Sequence, residues 1–213
     1  MATAKHINFF ELRDACAESG CPLCRIVVRR AEQYIDNTLF EHVSDRSFRK
    51  AYRLAGGFCA FHSRGLESFR DGLAVAILGR DILEDRLIAF KKRKPWRPVE
   101  RCPVCVEQDN IEKEYLTFLI QSDHDENGQE VRAYFTASEG LCAPHYARLI
   151  SLAKRIPAWL TEFHERKFET LFTRTSQFIE LSAYGQQEKF AQLDQKDKLV
   201  WKELALNLRG NRD

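Results

Sequence analysis

The sequence predicts an all-α protein, and two patterns indicate this class. Apolar residues recur at helical spacing along almost the whole chain, and no run shows the strict alternation of a half-buried strand. Glycines stand where these periodic stretches end, which is typical of helix C-termini. We therefore expect a helical bundle of about eight or nine helices.

In chain order, the helical pattern is clearest in the runs 66–90, 160–179 and 190–208. Residues 91–101, KKRKPWRPVER, interrupt the pattern with six basic residues and two prolines. Because basic residues favour a helix C-terminus and prolines cannot continue a helix, we interpret this segment as a connector that follows a helix.

Composition and charge limit the possible classes of function. The chain has 213 residues, with 33 Lys and Arg against 31 Asp and Glu, and a formal net charge of +2. This near-balance gives no overall drive toward nucleic acid or acidic lipid, so such binding would need a local patch. We find neither a signal peptide nor an apolar run that would span a bilayer, and we expect a cytoplasmic protein.

An internal repeat is the most informative feature of the sequence. CPLC at residues 21–24 matches CPVC at 102–105, and GFCAFHSRGL at 57–66 matches GLCAPHYARL at 140–149. The residues between the second and third cysteines number 34 in the first copy and 36 in the second. We therefore predict two copies of one helical unit, with the C-terminal part unrepeated.

Each copy offers three cysteines and one histidine, a ligand set that suits tetrahedral zinc. Two residues three positions apart lie on the same side of a helical turn, so both can point at one ion. We predict two zinc ions stapling the bundle, and an iron–sulfur cluster on the same ligands is the alternative. The predicted metal ligands are Cys21, Cys24, Cys59, His62, Cys102, Cys105, Cys142 and His145.

The similar length of the two copies favours sequential pairing of the ligands. In that arrangement the pair at 21/24 shares an ion with 59/62, and 102/105 shares one with 142/145. An interleaved cross-brace is the alternative. Either arrangement gives four protein ligands to each ion, whereas a catalytic zinc keeps an open position, so we expect structural sites and no catalytic residue or cofactor loop.

The remaining candidate residues have plainer interpretations. Cys16 is expected to be a buried, small apolar side chain. His6, His42, His124 and His164 lack a cysteine partner and a glutamate three residues earlier, and are expected at the surface. The connector 91–101, with Trp96 at its centre, is a possible nucleic-acid contact through phosphates and base stacking.

The tandem CPLC…GFCAFH and CPVC…GLCAPH units, followed by FIELSAYG at 178–185 and a segment from Trp201 to Gly210, resemble a bacterial family of uncharacterised cysteine-rich proteins. The resemblance implies a bacterial origin and a helical, metal-bearing fold, and it implies no particular activity.

Together these observations predict a zinc-stabilised helical binding or adaptor protein with an unidentified protein partner, and an enzyme is less favoured. We expect three segments. Residues 1–94 form the N-terminal helix and first unit, 95–155 the second unit, and 156–213 the C-terminal helices on the same core.

Overall fold

A computed structural model describes residues 7–67, 71–124 and 127–210, and within these ranges the chain is all-α, with no strand. The all-α prediction is confirmed. The helices of the described residues are α1 (Ile7–Cys16), α2 (Pro22–Asn37), α3 (Arg46–Ala55), α4 (Gly72–Lys91), α5 (Pro103–Gln121), α6 (Gly128–Thr136), α7 (Ala143–Leu152), α8 (Ala158–Leu181), α9 (Gln187–Gln192), α10 (Gln195–Lys198) and α11 (Val200–Arg209).

Shorter helical turns complete the path of the backbone. A π-helical turn, Thr38–His42, follows α2, and 3₁₀ turns occupy Arg64–Glu67 and Ser122–His124. The apolar run predicted from residue 66 becomes helix α4 only from Gly72 onward, and residues 68–70 of that run lie outside the described residues. With the short helices α9 and α10 included, the described residues form eleven α-helices, more than the eight or nine predicted.

Capping side chains explain where the helices of the central segment begin. Asp45 precedes α3 and accepts hydrogen bonds from the backbone N–H groups of Ser47 at 2.7 Å and Phe48 at 3.3 Å. Asp71 does the same for α4, accepting from the N–H of Ala74 at 2.9 Å. Each aspartate satisfies amide groups that have no partner inside the helix.

The chain forms two units, and their limits fall inside helices α2 and α5. Unit 1 comprises residues 1–27 and 112–213, and unit 2 comprises residues 28–111. These limits differ from the predicted segments 1–94, 95–155 and 156–213. Unit 1 therefore combines the N-terminal helix, the second Cys-x-x-His motif and all the C-terminal helices.

Each unit has a core of its own. In unit 1, α1 packs against α6, and α11 packs against both α7 and α8. The fully buried side chains there include Leu12, Leu116, Phe135, Leu149 and Leu160. In unit 2, α3 packs against α4. Its core contains Ile35, Tyr52, Phe58, Leu78 and Val104.

No described helix combines the length and the apolar character that crossing a membrane requires.

Candidate metal centres

The eight predicted ligands come together in two groups of four. Group A consists of Cys21, Cys24, Cys142 and His145, and all its members lie in unit 1. Group B consists of Cys59, His62, Cys102 and Cys105, all in unit 2. In each group the four ligand atoms lie within 4.8 Å of one another, so each group can hold a metal ion.

The sequential pairing predicted from the repeat is wrong. The first Cys-Pro-x-Cys motif joins the last Cys-x-x-His motif, and the two inner motifs join each other. This nested arrangement also differs from the interleaved cross-brace. Packing in unit 2 gives the reason, because Phe58 and Val104 are buried in one core and bring their neighbours Cys59 and Cys105 together.

Backbone structure presents each pair of ligands in a similar way. Cys21 and Cys102 directly precede α2 and α5, whose first residues are prolines. Cys142 occupies the N-cap position of α7 without a side-chain capping hydrogen bond, and His145 lies in the first turn of that helix. A backbone N–H four residues after the first ligand of each pair donates to the carbonyl of that ligand, at 2.9–3.3 Å.

The pair in group B departs from the predicted helix start. Cys59 and His62 lie in a turn that leads into the 3₁₀ helix Arg64–Glu67, whereas the equivalent pair in group A opens an α-helix. The hydrogen bond from Ser63 N–H to the Cys59 carbonyl, at 2.9 Å, still closes one turn. A single closed turn is therefore enough to direct both side chains toward the same point.

The donor atoms of group A are closely packed and buried. The Nδ1 atom of His145 lies 3.3 Å from Cys21 Sγ, 3.5 Å from Cys24 Sγ and 3.2 Å from Cys142 Sγ. The sulfurs of Cys24 and Cys142 are 3.7 Å apart. All four side chains are buried, so the group is largely shielded from water.

Group B has nearly the same dimensions and a more open setting. The Nδ1 atom of His62 lies 3.3 Å from Cys59 Sγ, 3.6 Å from Cys102 Sγ and 3.5 Å from Cys105 Sγ. The sulfurs of Cys59 and Cys105 are 3.8 Å apart. Cys102 and His62 are buried, whereas Cys59 and Cys105 are half-buried.

These distances fit the edges of a tetrahedron around one zinc ion. With Zn–S bonds of about 2.3 Å and Zn–N bonds of about 2.05 Å, tetrahedral geometry requires S···S edges of about 3.8 Å and S···N edges of about 3.5 Å. The Cys24–Cys142 and Cys59–Cys105 sulfur distances are 3.7 and 3.8 Å, and the S···N distances run from 3.2 to 3.6 Å; the other sulfur pairs lie within 4.8 Å. Both groups therefore have the donor types and the spacing of a mononuclear tetrahedral site.

The ionisation of group A reflects competition between burial and contacts among its members. Burial alone would raise the pKa of Cys21, but contacts with Cys142, Cys24 and His145 bring that pKa well below its ordinary value. Burial would lower the pKa of His145, but contacts with Cys142, Cys21 and Glu112 raise it to about 11. The surroundings thus favour thiolate at Cys21, the form in which cysteine binds metal. Contacts with Cys142 and Cys21 raise the pKa of Cys24, so binding of a metal ion requires Cys24 and His145 to release protons.

Group B shows the same competition in a weaker form. Burial alone would raise the pKa of Cys59. Backbone hydrogen bonds from His62 and Phe61, together with the contact with Cys105, outweigh burial and lower this pKa. Burial also lowers the pKa of His62, and its contact with Gln108 offsets this only in part. His62 is therefore held in the neutral form that a metal ligand requires.

Residues behind group A orient its histidine and balance its charge. His145 Nε2 lies 3.4 Å from a carboxylate oxygen of Glu112, whose other oxygen pairs with Arg148 at 2.9 Å. Such a carboxylate fixes the imidazole with Nδ1 directed at the metal. Lys167 donates to the Leu141 carbonyl at 2.6 Å; burial lowers the pKa of Lys167, and the nearby Cys21 and Cys142 offset this only in part.

Sequence reasoning missed Glu112 and Lys167, because no spacing marks them among the many charged residues of the helices. The C-terminal Gly210 was also unexpected beside the metal ligands. A Cβ atom at Gly210 would lie 3.4 Å from Cys142 Sγ and 3.5 Å from Cys24 Sγ, so the end of α11 rests against group A.

The other cysteine and histidine predictions have mixed outcomes. Cys16 is buried as expected, and burial raises its pKa to about 12. His42 is exposed as expected. His164 was expected at the surface, and this is wrong because it is fully buried between Leu141 and Leu160 in unit 1. His6 and the side chain of His124 lie outside the described residues.

Comparison with known proteins gives a partial match to an uncharacterised protein. The chain is 32% identical over 103 residues to a protein described as "Uncharacterized 23.9 kDa protein in xynA 3'region" from Caldicellulosiruptor sp. (strain Rt8B.4). The match covers 46% of this chain and 50% of that protein, so the chain spans about half of the relative's length. No protein-family model matches the chain, and no solved structure matches it.

Proposed function

We propose that this protein is a zinc-stabilised helical binding protein with two structural Cys₃His sites. The observation that carries the proposal is the pair of four-donor groups, in each of which one S···S distance and the three S···N distances are close to those of a zinc tetrahedron. In this proposal group A and group B each bind one zinc ion through the eight named side chains. The zinc supplies a cross-link between distant segments of each unit and no reaction chemistry.

The closed ligand sets support a structural role for the metal. Each group offers three sulfurs and one imidazole nitrogen to a single ion, which completes a tetrahedral shell. A structural zinc contributes about 10–16 kcal/mol of apparent binding free energy, which is comparable to the whole stability of a domain. The thiols must remain reduced to bind, so the proposal places the protein in a reducing compartment such as the cytoplasm.

The close spacing of the donors favours one ion over an iron–sulfur cluster. In a cluster the four ligands are distributed over two or four iron atoms, so donor atoms on different irons are separated by the cluster itself. Here the closest donors in each group are only 3.2–3.3 Å apart. Zinc also accepts one histidine among three cysteines readily, whereas clusters generally use four cysteines.

Metal analysis of protein purified without oxygen tests this proposal. We expect two zinc ions per chain, one for each group, and a colourless solution. A brown protein with broad visible absorption and bound iron would instead establish the cluster alternative. Protein that contains neither metal and folds equally well with a chelator would contradict both.

A further inference from the structure

A basic groove lies in unit 2, away from the ligands of group B. Its cavity has a volume of about 640 Å³ and lies between helix α3 and the connector 91–101. Five of the side chains that line it are cations, namely Arg46, Arg49, Lys50, Arg53 and Arg97. Two carboxylates, Asp81 and Asp85, also line it, so the groove keeps an excess of positive charge.

The cations from α3 form a row along one side of that helix. Residues 46, 49, 50 and 53 follow the spacing that places side chains on one helical face. At 1.5 Å per residue, the row extends for about 10 Å. An elongated row of charges matches a chain of anionic groups better than it matches one small anion.

The carboxylates hold two of the arginines in fixed positions. Arg49 donates from Nε and Nη2 to both oxygens of Asp81, at 2.7 Å each, and Asp81 is buried. Arg53 makes the same two-point contact with Asp85. These bonds do not engage Nη1 of either guanidinium. Because these contacts already restrict the arginine side chains, little further side-chain entropy is lost when Nη1 donates to a phosphate.

The other three cations carry the uncompensated charge. Arg46, Lys50 and Arg97 are exposed, and none of them forms an ion pair with another residue in the part of the chain described. Lysine and arginine without a carboxylate partner remain available for an anionic ligand.

Trp96 forms the opposite wall of the groove and attaches the connector to α3. Its six-membered ring lies against the backbone of Gly56, and the Arg86 guanidinium lies 5.2 Å from the centre of the indole. The N–H of Val99 donates to the Leu54 carbonyl at 2.8 Å. The groove is therefore bounded by fixed backbone on both sides. Trp96 acts here as a structural wall, and stacking of a base on the face covered by Arg86 would displace that residue.

We propose that this groove binds the phosphodiester backbone of a single-stranded nucleic acid. The inference rests on the proposed function, because it names the class of partner for the binding protein. In this proposal the four cations of α3 contact successive phosphates. The net positive charge of the groove comes from Arg46 and Lys50 of that row and from Arg97 of the connector. A single strand is the proposed occupant because the cations of α3 form one row of about 10 Å along one helix, which follows one phosphodiester chain.

The test compares two charge-matched double variants of the full chain. One removes two groove cations, Arg46→Gln with Lys50→Gln, and the other removes two exposed cations of unit 1, Lys154→Gln with Arg155→Gln. Fluorescence anisotropy of a labelled thymidine oligomer and a labelled uridine oligomer measures binding over a range of salt concentrations. A labelled duplex serves as a third probe, and zinc content is measured for every protein.

We expect the groove variant to bind both oligomers at least tenfold more weakly, and the control variant to bind like the original protein. Each lost phosphate contact should also reduce the slope of log affinity against log salt by about 0.7. Tighter binding of one oligomer would identify RNA or DNA as the source of the phosphodiester chain.

Three results would overturn the inference: no binding by the original protein at low salt, equal weakening by both double variants, or a preference for the duplex. If zinc content is normal in these cases, the groove inference fails while the metal proposal stands. If zinc is absent from the original protein, the proposed function fails independently of the groove.

Discussion

At the scale of single residues, His164 occupies a position where only a neutral imidazole satisfies both of its hydrogen bonds. Its Nδ1–H donates to the Leu160 carbonyl at 2.7 Å, and its Nε2 accepts from the Leu141 N–H at 3.0 Å. A second proton on Nε2 would face that N–H. Burial lowers the pKa of His164 from 6.5 to about 4. The hydrogen bond to Leu160 opposes this shift, and the nearby charge of Lys167 adds to it.

This lowered pKa predicts a dependence of stability on pH. Between pH 6.5 and 4 the unfolded chain binds a proton at His164 that the folded protein does not, so stability falls as the pH falls through this window. From pH 7 to pH 5 the loss amounts to about 2 kcal/mol. Urea unfolding at both pH values should show a smaller decrease for His164→Gln than for the original protein.

The exposed His42 provides the control for this prediction. A His42→Gln variant should keep the full decrease between pH 7 and pH 5, because it leaves His164 and its two hydrogen bonds unchanged. Equal decreases in the original protein and in His164→Gln would contradict the assignment of the effect to His164.

Glu112 provides a second prediction at this scale, because its carboxylate lies behind the ligand His145. Glu112→Gln keeps the shape of the side chain and removes its charge. Loss of such a supporting carboxylate costs roughly 10- to 100-fold in metal affinity. Competition with a chelator should therefore remove one zinc from this variant at lower chelator concentration, while the zinc of group B is unchanged.

The same substitution at an exposed glutamate, Glu180→Gln on α8, should leave both zinc affinities as they are. If Glu112→Gln also retains both ions as tightly as the original protein, Glu112 has no positioning role toward His145.

At the scale of helices, two glycines of unit 2 should respond in opposite ways to alanine. Gly56 ends α3 with a φ of 71°, and a Cβ atom there would overlap the Trp96 ring. Gly56→Ala should lower the free energy of unfolding by at least about 1–2 kcal/mol, because the left-handed backbone disfavours a side chain and Trp96 must move. Gly79 lies inside α4 with open space around it, and Gly79→Ala should raise stability by about 0.5–1 kcal/mol.

Chemical denaturation of the two variants measures both changes. A stabilising Gly56→Ala would show that the connector does not rest on the end of α3. A destabilising Gly79→Ala would show that this face of α4 is covered in solution.

The helices themselves were predictable from local pattern, whereas their exact limits were not. Apolar spacing and the glycines at helix ends indicate the all-α class, because both are local properties of the chain. The turn at Cys59 was predicted as a helix start because its sequence matches that of Cys142. The burial of His164 escaped prediction, since a single histidine in a helix carries no local mark of the neighbours that will surround it.

At the scale of the whole molecule, the pairing of the metal ligands depends on contacts that spacing does not encode. The similar intervals within the two repeats favoured sequential pairing, but they show only that the copies are alike. Group A joins residues more than 100 positions apart, including Cys24 and Cys142, and group B joins the inner motifs. The eight side chains could be selected from sequence, while their grouping follows from how two separate cores bury Phe58, Val104 and Leu141.

The nested grouping makes a prediction that distinguishes it from sequential pairing. A Cys24→Ser, Cys142→Ser variant changes two ligands of group A, so it should retain about one zinc per chain. A Cys24→Ser, Cys59→Ser variant changes one ligand in each group and should retain none after mild chelation. Sequential pairing requires the reverse result for these two proteins. A Cys59→Ser, Cys105→Ser variant, altered only in group B, should again keep one zinc and should keep slow hydrogen exchange in the helices of unit 1. This third variant preserves the test if loss of group A prevents folding, because retention of no zinc there would contradict the nested grouping by itself.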